Sequence, residues 1–373
     1  MHRVKGNEAM KNGIGRTVLI TGGAGFIGSN LAERLLSEPE TRVRIFDNFS
    51  RVGVMHNVRW LRSLPGSKRL EVVRGDVRDR RAVQQAVTGA SEIYQLAAQV
   101  AVTTSVDDPE TDFEINAGGT FNMLEAARLC GRKPFILYTS TNKVYGSLKR
   151  LSVEVEGTHY RASLRGFRGV DESEPLDFHS PYGCSKGTAD QYIHDYARIY
   201  DLPTVVFRMS CIAGPRQFGN EDQGWVAHFL YSVLNGKPIT VYGDGYQVRD
   251  VLHVQDLIDA MMAVRRNIDR TRGEVFNLGG GMERAVSVME MLHTIERRVR
   301  RPLRLKYSRI RPGDQPLYIA DTSKLEQMTG WHAHRSIVEI LDEIHQFWRQ
   351  NHNVTPFPSA SLEPSAALHM EVA

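Results

Sequence analysis

Tyr182 and Lys186 stand four residues apart in the segment YGCSK, a spacing that places two side chains on one face of a helix. A free phenol has a pKa of about 10 and is a poor base at neutral pH. A neighbouring ammonium favours the phenolate, and a pKa lower by about 2–3 would make the phenol a working base. We therefore predict that Tyr182 transfers a proton and that Lys186 is its electrostatic partner. The same spacing also occurs on exposed helix faces that carry no chemistry.

Hydroxyl side chains cluster in the segment YTSTNKVYG, at the end of a predicted strand. Ligands bind at the carboxyl ends of the strands in a parallel sheet. We predict that Thr141 polarises the oxygen that exchanges a proton with Tyr182. Thr139 and Ser140 are competing candidates, and either hydroxyl could simply cap the strand.

A glycine-rich turn lies near the start of the chain. Gly22, Gly25 and Gly28 follow a predicted strand and open a predicted helix. Such glycines let the backbone approach a pyrophosphate, whose charge the helix N-terminus stabilises. Asp47 follows Gly28 by 19 residues, where a carboxylate meets an adenosine ribose. This pattern predicts an NAD site, although a plain tight turn is the alternative. A positive nicotinamide ring would add to Lys186 in favouring the phenolate.

Other residues near the predicted strand ends complete the cofactor site. Asp76 ends the third strand and could hydrogen-bond the adenine amine, while Arg51 weakens the preference for NAD over NADP. Each of these could also serve ordinary turn or capping chemistry. The candidate cofactor-binding residues are Gly22, Gly25, Phe26, Ile27, Gly28, Asp47, Asn48, Ser50, Arg51, Asp76, Val77, Leu96, Ala97, Ala98, Gln99, Asn116, Ser140, Tyr182 and Lys186.

The elements that must position these groups alternate between strand and helix as far as about Tyr200. This alternation predicts a parallel sheet covered on both faces, which is the Rossmann-type, doubly wound α/β fold. Beyond Ser210 the rhythm breaks, and we predict a smaller C-terminal substrate domain. Predicted strands are Thr17–Thr21, Arg42–Phe46, Leu70–Arg74, Glu92–Leu96, Pro134–Thr139 and Thr204–Arg208; predicted helices are Ile27–Leu36, Met55–Ser63, one from Asp79, Phe113–Leu129 and Tyr182–Tyr200.

Composition excludes several classes of protein. The chain is 41% hydrophobic and 24% charged with a net charge of +4, a balance typical of a globular protein without a dominant nucleic-acid-binding surface. Its apolar runs are strand-sized, so we expect no membrane segment, and the polar N-terminus favours a cytoplasmic location. The three cysteines have neither metal-ligand nor disulfide-framework spacing, so we expect no metal.

The glycine-rich turn, Asp47, Thr141 and the Tyr182–Lys186 pair resemble those of the extended short-chain dehydrogenase/reductase family of nucleotide-sugar epimerases and dehydratases. The resemblance extends from about Thr17 to Trp348. The longest similar stretches, STNKVYG, DFHSPYGCSKG and DQGWV, resemble the CDP-tyvelose (CDP-paratose) 2-epimerases within that family. The resemblance implies an NAD-dependent epimerase that inverts C2 of a CDP-linked hexose through a transient 2-keto intermediate.

The resemblance also implies a set of site residues. Thr141, Tyr182 and Lys186 would be catalytic, Arg249 and Arg311 would bind the diphosphate, and Asp314 would bind the nucleotide ribose. Two positions depart from the family pattern: Cys211 replaces a usual asparagine, and Ala213 replaces a usual tyrosine. The candidate substrate-binding residues are Thr141, Asn142, His179, Cys211, Gln223, Val226, Arg249, Arg311 and Asp314.

Alternative functions remain open from the sequence. Related 4,6-dehydratases carry Asp-Glu directly after the threonine, whereas this chain has Asn142 and Lys143, which disfavours elimination. A UDP-linked 4-epimerase would use the same catalytic set, and a non-catalytic NAD-binding protein is a further alternative. Relatives associate through the helices near Phe113–Leu129 and Tyr182–Tyr200, so the resemblance implies a homodimer or homotetramer.

We predict the following organisation. A flexible extension spans residues 1–15, an NAD-binding domain spans 16–208, and a nucleotide-sugar-binding domain spans 209–350. Part of 246–278 is expected to return to the first domain, and 351–373 is expected to form a flexible tail. The basic insertion 149–168 could be a substrate lid or a solvated loop.

Overall fold

The computed structural model describes residues 15–311 and 313–351. The predicted N-terminal extension and C-terminal tail therefore lie outside the described residues, apart from Gly15 and Asn351. Asn351 is the last residue of a helix, so the placement of that residue in a flexible tail was wrong.

Seven parallel strands form the central sheet, in the order β12-β8-β5-β4-β1-β2-β3. The strand order reverses between β1 and β4, and this switch point opens a crevice at the carboxyl ends of the strands. These seven strands are β1 (Thr17–Thr21), β2 (Arg42–Asp47), β3 (Leu70–Arg74), β4 (Glu92–Gln95), β5 (Phe135–Thr141), β8 (Thr204–Met209) and β12 (Glu274–Leu278).

Helices cover both faces of this sheet. Side chains of β1 alternate between two cores: Val18 and Ile20 pack with α1, α2 and α9, whereas Leu19 packs with α3, α6 and α7. Burial on both faces explains why these strands read as continuous apolar runs. The helices are α1 (Phe26–Leu36), α2 (Val54–Ser63), α3 (Arg80–Val87), α4 (Val102–Asp107), α5 (Pro109–Phe113), α6 (Gly119–Leu129), α7 (Ser180–Tyr200), α8 (Trp225–Leu234), α9 (Val254–Arg266), α10 (Ile268–Thr271), α11 (Val288–Val299), α12 (Ser323–Thr329) and α13 (Ile337–Asn351).

The predicted helix Phe113–Leu129 is interrupted. Its first turns form a π-helical segment, Glu114–Gly118, and the α-helix begins only at Gly119. A Cβ atom at Gly119 would lie 2.5 Å from Val77 Cγ2, so this glycine lets the helix pack closely against the residues that follow β3. The predicted helix is present, and the π-helical segment within it was not predicted.

Residues after β8 build smaller sheets around a third core. Helices α8, α11 and α13 bury apolar residues such as Leu230, Leu292 and Leu341 there. The remaining strands are β6 (Val153–Glu156) paired with β7 (His159–Ala162), β10 (Ile239–Tyr242) paired with β14 (Leu305–Ser308), and the group β9 (Cys211–Ala213), β11 (Val248–His253), β13 (Ala285–Ser287) and β15 (Leu317–Tyr318). Within the described ranges, no helix combines the length and apolar character needed to span a bilayer.

The basic insertion forms the β6–β7 hairpin, which packs against the C-terminal half of the chain. The Tyr160 amide donates to the Tyr246 carbonyl at 3.0 Å, and the Tyr160 hydroxyl donates to Asp244 at 2.6 Å. His159 Nδ1 lies 2.9 Å from Glu290 Oε1. These contacts hold the hairpin as an ordered element.

Candidate active site

A cavity of about 840 Å³ runs from the carboxyl ends of the central strands into the C-terminal half of the molecule. Most of the predicted site residues line it, and none of residues 149–168 does. The predicted residues in its lining are Gly22, Gly25, Phe26, Ile27, Gly28, Asp47, Asn48, Ser50, Arg51, Asp76, Val77, Leu96, Ala97, Ala98, Ser140, Thr141, Asn142, Tyr182, Lys186, Cys211, Gln223, Arg249, Arg311 and Asp314.

The three predicted catalytic residues all line this cavity. Thr141 is the last residue of β5, while Tyr182 and Lys186 lie one turn apart on α7. All three side chains are buried. Lys186 Nζ donates to the Thr139 carbonyl at 2.6 Å and lies 4.3 Å from the centre of the Tyr138 ring. A hydroxyl, a phenol and an amine therefore share one water-poor space.

Helix α4 helps to hold Tyr182 in place. The backbone amide of Tyr182 donates to Ser105 Oγ at 3.1 Å, and Ser105 Oγ donates to the Val102 carbonyl at 2.7 Å. The hydroxyl of Ser105 thus ties the start of the catalytic helix to the helix beside the cofactor crevice.

Burial dominates the acid–base properties of the catalytic pair. It raises the pKa of Tyr182 to about 12, against the lowering effect of the Thr141 hydroxyl. It also lowers the pKa of Lys186 to about 7, against the attraction of Asp190 and Asp112. Desolvation of the phenolate thus outweighs the hydrogen bond from Thr141, and the pKa of Tyr182 lies above that of a free phenol. Lowering that pKa requires a further positive charge in the cavity.

The glycine-rich turn has the close approaches that a phosphate cradle needs. Gly22 has φ +65°, and a Cβ atom there would lie 2.9 Å from the backbone of Ala97. A Cβ atom at Gly28 would lie 2.4 Å from the Gly22 carbonyl oxygen. Gly25 precedes the first turn of α1, whose N–H groups have no partner within the helix, and Gly25, Phe26 and Ile27 line the cavity. The turn thus fits a pyrophosphate.

Two carboxylates flank this turn. Asp47 accepts hydrogen bonds from the amides of Ala24 (3.1 Å) and Phe49 (2.8 Å); burial raises its pKa, and these hydrogen bonds oppose the rise. Asp76 is paired with Arg78 at 3.0 Å, and the hydrogen bond from Arg78 lowers the pKa of Asp76 to about 2. Both positions fit the ribose and adenine contacts of a dinucleotide.

Two predicted cofactor contacts lie outside the cavity lining. The side chain of Gln99 folds back onto the Ala101 backbone, to whose carbonyl it donates at 2.7 Å. Asn116 is buried and donates to the Gln99 carbonyl and to Asp112, both at 3.1 Å. Both side chains are hydrogen-bonded within the protein, so their contact with a cofactor stays a prediction.

The substrate half of the cavity carries a cluster of charges. Arg249 Nη2 lies 2.6 Å from Asp314 Oδ1, and Lys143 Nζ lies 3.4 Å from the same oxygen. Burial alone would raise the pKa of Asp314, but Arg249 and Lys143 lower it on balance. Arg311 lies farther along, with its guanidinium 4.0 Å from the centre of the Tyr242 ring.

Gln223 and Cys211 both line the cavity. Arg51 beside the cofactor crevice donates to the side chain of Gln223, which belongs to the substrate half. Cys211 Sγ accepts a hydrogen bond from Trp225 Nε1 at 3.2 Å, and burial raises the pKa of its thiol. Cys211, which replaces the usual asparagine, thus accepts a hydrogen bond from the indole of Trp225.

His179 and Val226 are predicted substrate contacts that do not line the cavity. His179 is the residue before the first turn of α7, and its ring lies close to Gly313. Val226 is buried in the core beneath α8. Val226 packs in this apolar core, and its contact with a substrate stays a prediction.

Several lining residues are not among the predicted site residues. Lys143, Tyr242, Trp225 and Phe229 all line the cavity. Trp225 and Phe229 are four residues apart on α8, with ring centres 5.5 Å apart. An aromatic pair at that spacing is equally typical of a helix packed in a core, so the pattern alone does not indicate a site.

Comparison with known proteins assigns the family. Residues 19–344 match the family described as GDP-mannose 4,6 dehydratase. The CDP-paratose 2-epimerase of Salmonella typhi is 44% identical over 321 residues, which cover 84% of this chain and 94% of that protein. The UDP-glucose 4-epimerase of Mycolicibacterium smegmatis is 32% identical over 89% of this chain and 98% of its own length.

A solved structure gives the same assignment. The UDP-glucuronic acid 4-epimerase of Bacillus cereus, in complex with UDP-glucuronic acid and NAD, has a TM-score of 0.77 at 26% identity, covering 90% of this chain and 99% of that one. The chain therefore belongs to the GDP-mannose 4,6 dehydratase family, whose members named above are nucleotide-sugar epimerases. The predicted family, the Rossmann-type fold and the prediction of an enzyme are confirmed.

Proposed function

We propose that this enzyme inverts C2 of a CDP-linked hexose through a transient 2-keto intermediate, with NAD as its cofactor. The observation that carries the proposal is the joint position of Thr141, Tyr182 and Lys186 in a cavity that continues to Arg249 and Asp314. The sequence identity of 44% to a CDP-paratose 2-epimerase supports CDP as the nucleotide and C2 as the inverted carbon. The solved relative that contains NAD supports the cofactor.

The chain's own residues would act as follows. An alcohol carbon carries no acidic hydrogen, so inversion needs oxidation and then reduction at the same carbon. NAD, which Gly22, Gly25, Gly28 and Asp47 would hold, would supply the redox chemistry of both steps, as hydride acceptor in the first and, in its reduced form, as hydride donor in the second. Tyr182 takes the hydroxyl proton and later returns it, Thr141 holds the oxygen, and Lys186 favours the phenolate when protonated. Arg249 anchors the diphosphate while the keto sugar turns its other face.

A CDP-hexose deuterated at C2 tests the reaction directly. The hydrogen removed from C2 returns to the same carbon in this mechanism, so the product should be inverted at C2 and keep its deuterium. Turnover should also proceed without added cofactor, because there is no net oxidation. Inversion at C4 with C2 untouched, or NADH formed in step with product, would contradict the proposal.

A UDP-linked 4-epimerase is the second candidate. The catalytic residues serve either carbon equally well, and a UDP-glucose 4-epimerase is 32% identical to this chain. A 4,6-dehydratase is disfavoured. Related 4,6-dehydratases carry an acid and a base directly after the catalytic threonine, whereas this chain has Asn142 and Lys143 there. A matched set of CDP- and UDP-hexoses, analysed for the inverted carbon, separates the two epimerases.

We also propose that the enzyme is at least a dimer. Apolar side chains are exposed along α6 and α7, with Phe121 and Tyr192 in edge-to-face contact at 5.8 Å. Leu129 is 57% exposed and Ile199 is 65% exposed on the same two helices. An apolar surface of this kind fits a second copy of the chain. A monomer in light scattering at micromolar concentration would contradict this.

We also propose that two parts of the chain bind different ligands. Residues 16–208 would hold the cofactor, and 209–350 would hold the nucleotide sugar. The strand Glu274–Leu278 pairs with β8 in the central sheet, which supports the expectation that part of 246–278 belongs with the first domain.

A further inference from the structure

Lys143 is a half-buried cation that has no role in the proposed mechanism. It belongs to the 3-10 turn Asn142–Tyr145 directly after β5, and its side chain lines the cavity with 22% exposure. Its backbone amide donates to Thr141 Oγ1 at 3.3 Å. The backbone of Lys143 is thus fixed to the hydroxyl that we place at the reacting sugar carbon.

The other end of the Lys143 side chain reaches the charged cluster. Its Nζ lies 3.4 Å from Asp314 Oδ1 and 3.5 Å from the Gly313 carbonyl. Both contacts are at the long limit for a hydrogen bond, whereas Arg249 contacts the same oxygen of Asp314 at 2.6 Å. An ammonium has three donors, so Lys143 retains donor capacity toward the cavity.

The charge balance of this cluster favours an anion. Two cations, Lys143 and Arg249, face a single carboxylate, Asp314. Burial lowers the pKa of Lys143, and the charge of Arg249 lowers it further. A bound anion would relieve the repulsion between the two cations and stabilise the ammonium.

We propose that Lys143 binds the sugar-proximal phosphate of the nucleotide sugar. This rests on the proposed function, which places the sugar carbon at Thr141 and the diphosphate at Arg249. The side chain of Lys143 runs from Thr141 towards Arg249. It therefore passes the phosphate that joins the sugar to the nucleotide. Lysine at this position therefore adds a phosphate ligand, and it also leaves no carboxylate to act on the sugar.

Nucleotides that differ by that one phosphate test the proposal. Binding of CDP, CMP, UDP and UMP to the NAD-containing enzyme would be measured by calorimetry for the wild type, Lys143→Met and Lys143→Arg. A charged hydrogen bond is worth about a tenfold to hundredfold change in affinity. Lys143→Met should lose that factor for the diphosphate and little for the monophosphate, and Lys143→Arg should recover part of the loss.

Lys149→Met is the matched control, because Lys149 lies six residues farther on and its side chain is 81% exposed. It should leave all four affinities unchanged. Lys143→Gln gives a second uncharged variant if Lys143→Met does not fold. An equal loss for monophosphate and diphosphate would show that Lys143 only positions Asp314, and this would overturn the proposal, as would no loss at all.

The failure of the proposed function is distinguishable in the same experiment. If the wild type prefers uridine nucleotides, the CDP assignment fails, and Lys143 is judged by the difference between UDP and UMP. If the wild type binds no nucleotide of either kind, the nucleotide-sugar assignment and the Lys143 proposal are both overturned.

Discussion

The cofactor half and the substrate half of the cavity are built by different means. The cofactor half depends on backbone: Gly22 and Gly28 allow close approaches, and a helix N-terminus faces the cavity. The substrate half depends on charged side chains from separate elements, with Arg249 on β11 and Asp314 in a loop. A backbone cradle suits a group common to many enzymes, whereas side chains can change with the substrate.

The catalytic residues lie between the two halves, and their loss should have the largest effect. Tyr182→Phe keeps the ring in its buried site and removes the phenol. General acid–base catalysis is worth about 10²–10⁴-fold, so turnover should fall by at least that factor while NAD remains bound. Thr141→Ala should be milder, because the phenol still reaches the oxygen. Near-normal turnover of the phenylalanine variant, measured by product formation, would refute the assignment of Tyr182.

A change in the glycine turn should damage the cofactor half. In Gly28→Ala the new methyl group would overlap the Gly22 carbonyl, so the turn must shift. Overpacking of this kind costs about 1–3 kcal/mol, and NAD affinity should fall with it. Gly118→Ala is the control, because its methyl group would lie 3.8 Å from the Phe113 carbonyl oxygen, which is an ordinary van der Waals contact. Equal NAD retention by the two variants would argue against a backbone cradle.

A change at Arg249 should act on the substrate half alone. Arg249→Gln removes one cation and its contact with Asp314. We expect KM for the nucleotide sugar to rise about tenfold to a hundredfold, while NAD affinity stays the same. Kinetics over a range of substrate concentration, with NAD content measured in parallel, would check this. A matching loss of NAD would mean that the two halves are not separate.

The pH dependence of stability should show the smallest effect. Burial holds the pKa of Lys186 at about 7, below its ordinary value of 10.5. Between these two values the unfolded chain binds a proton that the folded protein does not, so the free energy of unfolding of the NAD-free protein should rise with pH. One titrating group changes the free energy of unfolding by at most about 1.4 kcal/mol for each pH unit. Urea unfolding at pH 7 and pH 9 should show a rise that Lys186→Met lacks; the same rise in the variant would exclude Lys186 as its source.

Local patterns in the sequence predicted much of the fold and of the cofactor half. Strand β1 has the predicted bounds, and Tyr182 and Lys186 share one helix. These features depend on residues close in sequence, where glycine conformation and the helical repeat determine geometry. The interruption at Glu114–Gly118 could not be predicted in this way, because the packing of Gly119 against Val77 depends on a neighbouring element.

By itself, then, the sequence determined the phosphate-binding turn, the tyrosine–lysine pair and the alternation of strands and helices. Only the tertiary structure decided that Lys143 and Arg249 share Asp314, a residue 171 positions after the first of them and 65 after the second. It also decided that Asn116 is bonded within the protein, away from the cavity. The physical reason is that spacing along the chain sets contacts within one turn or helix, whereas contacts between distant residues depend on how whole elements pack.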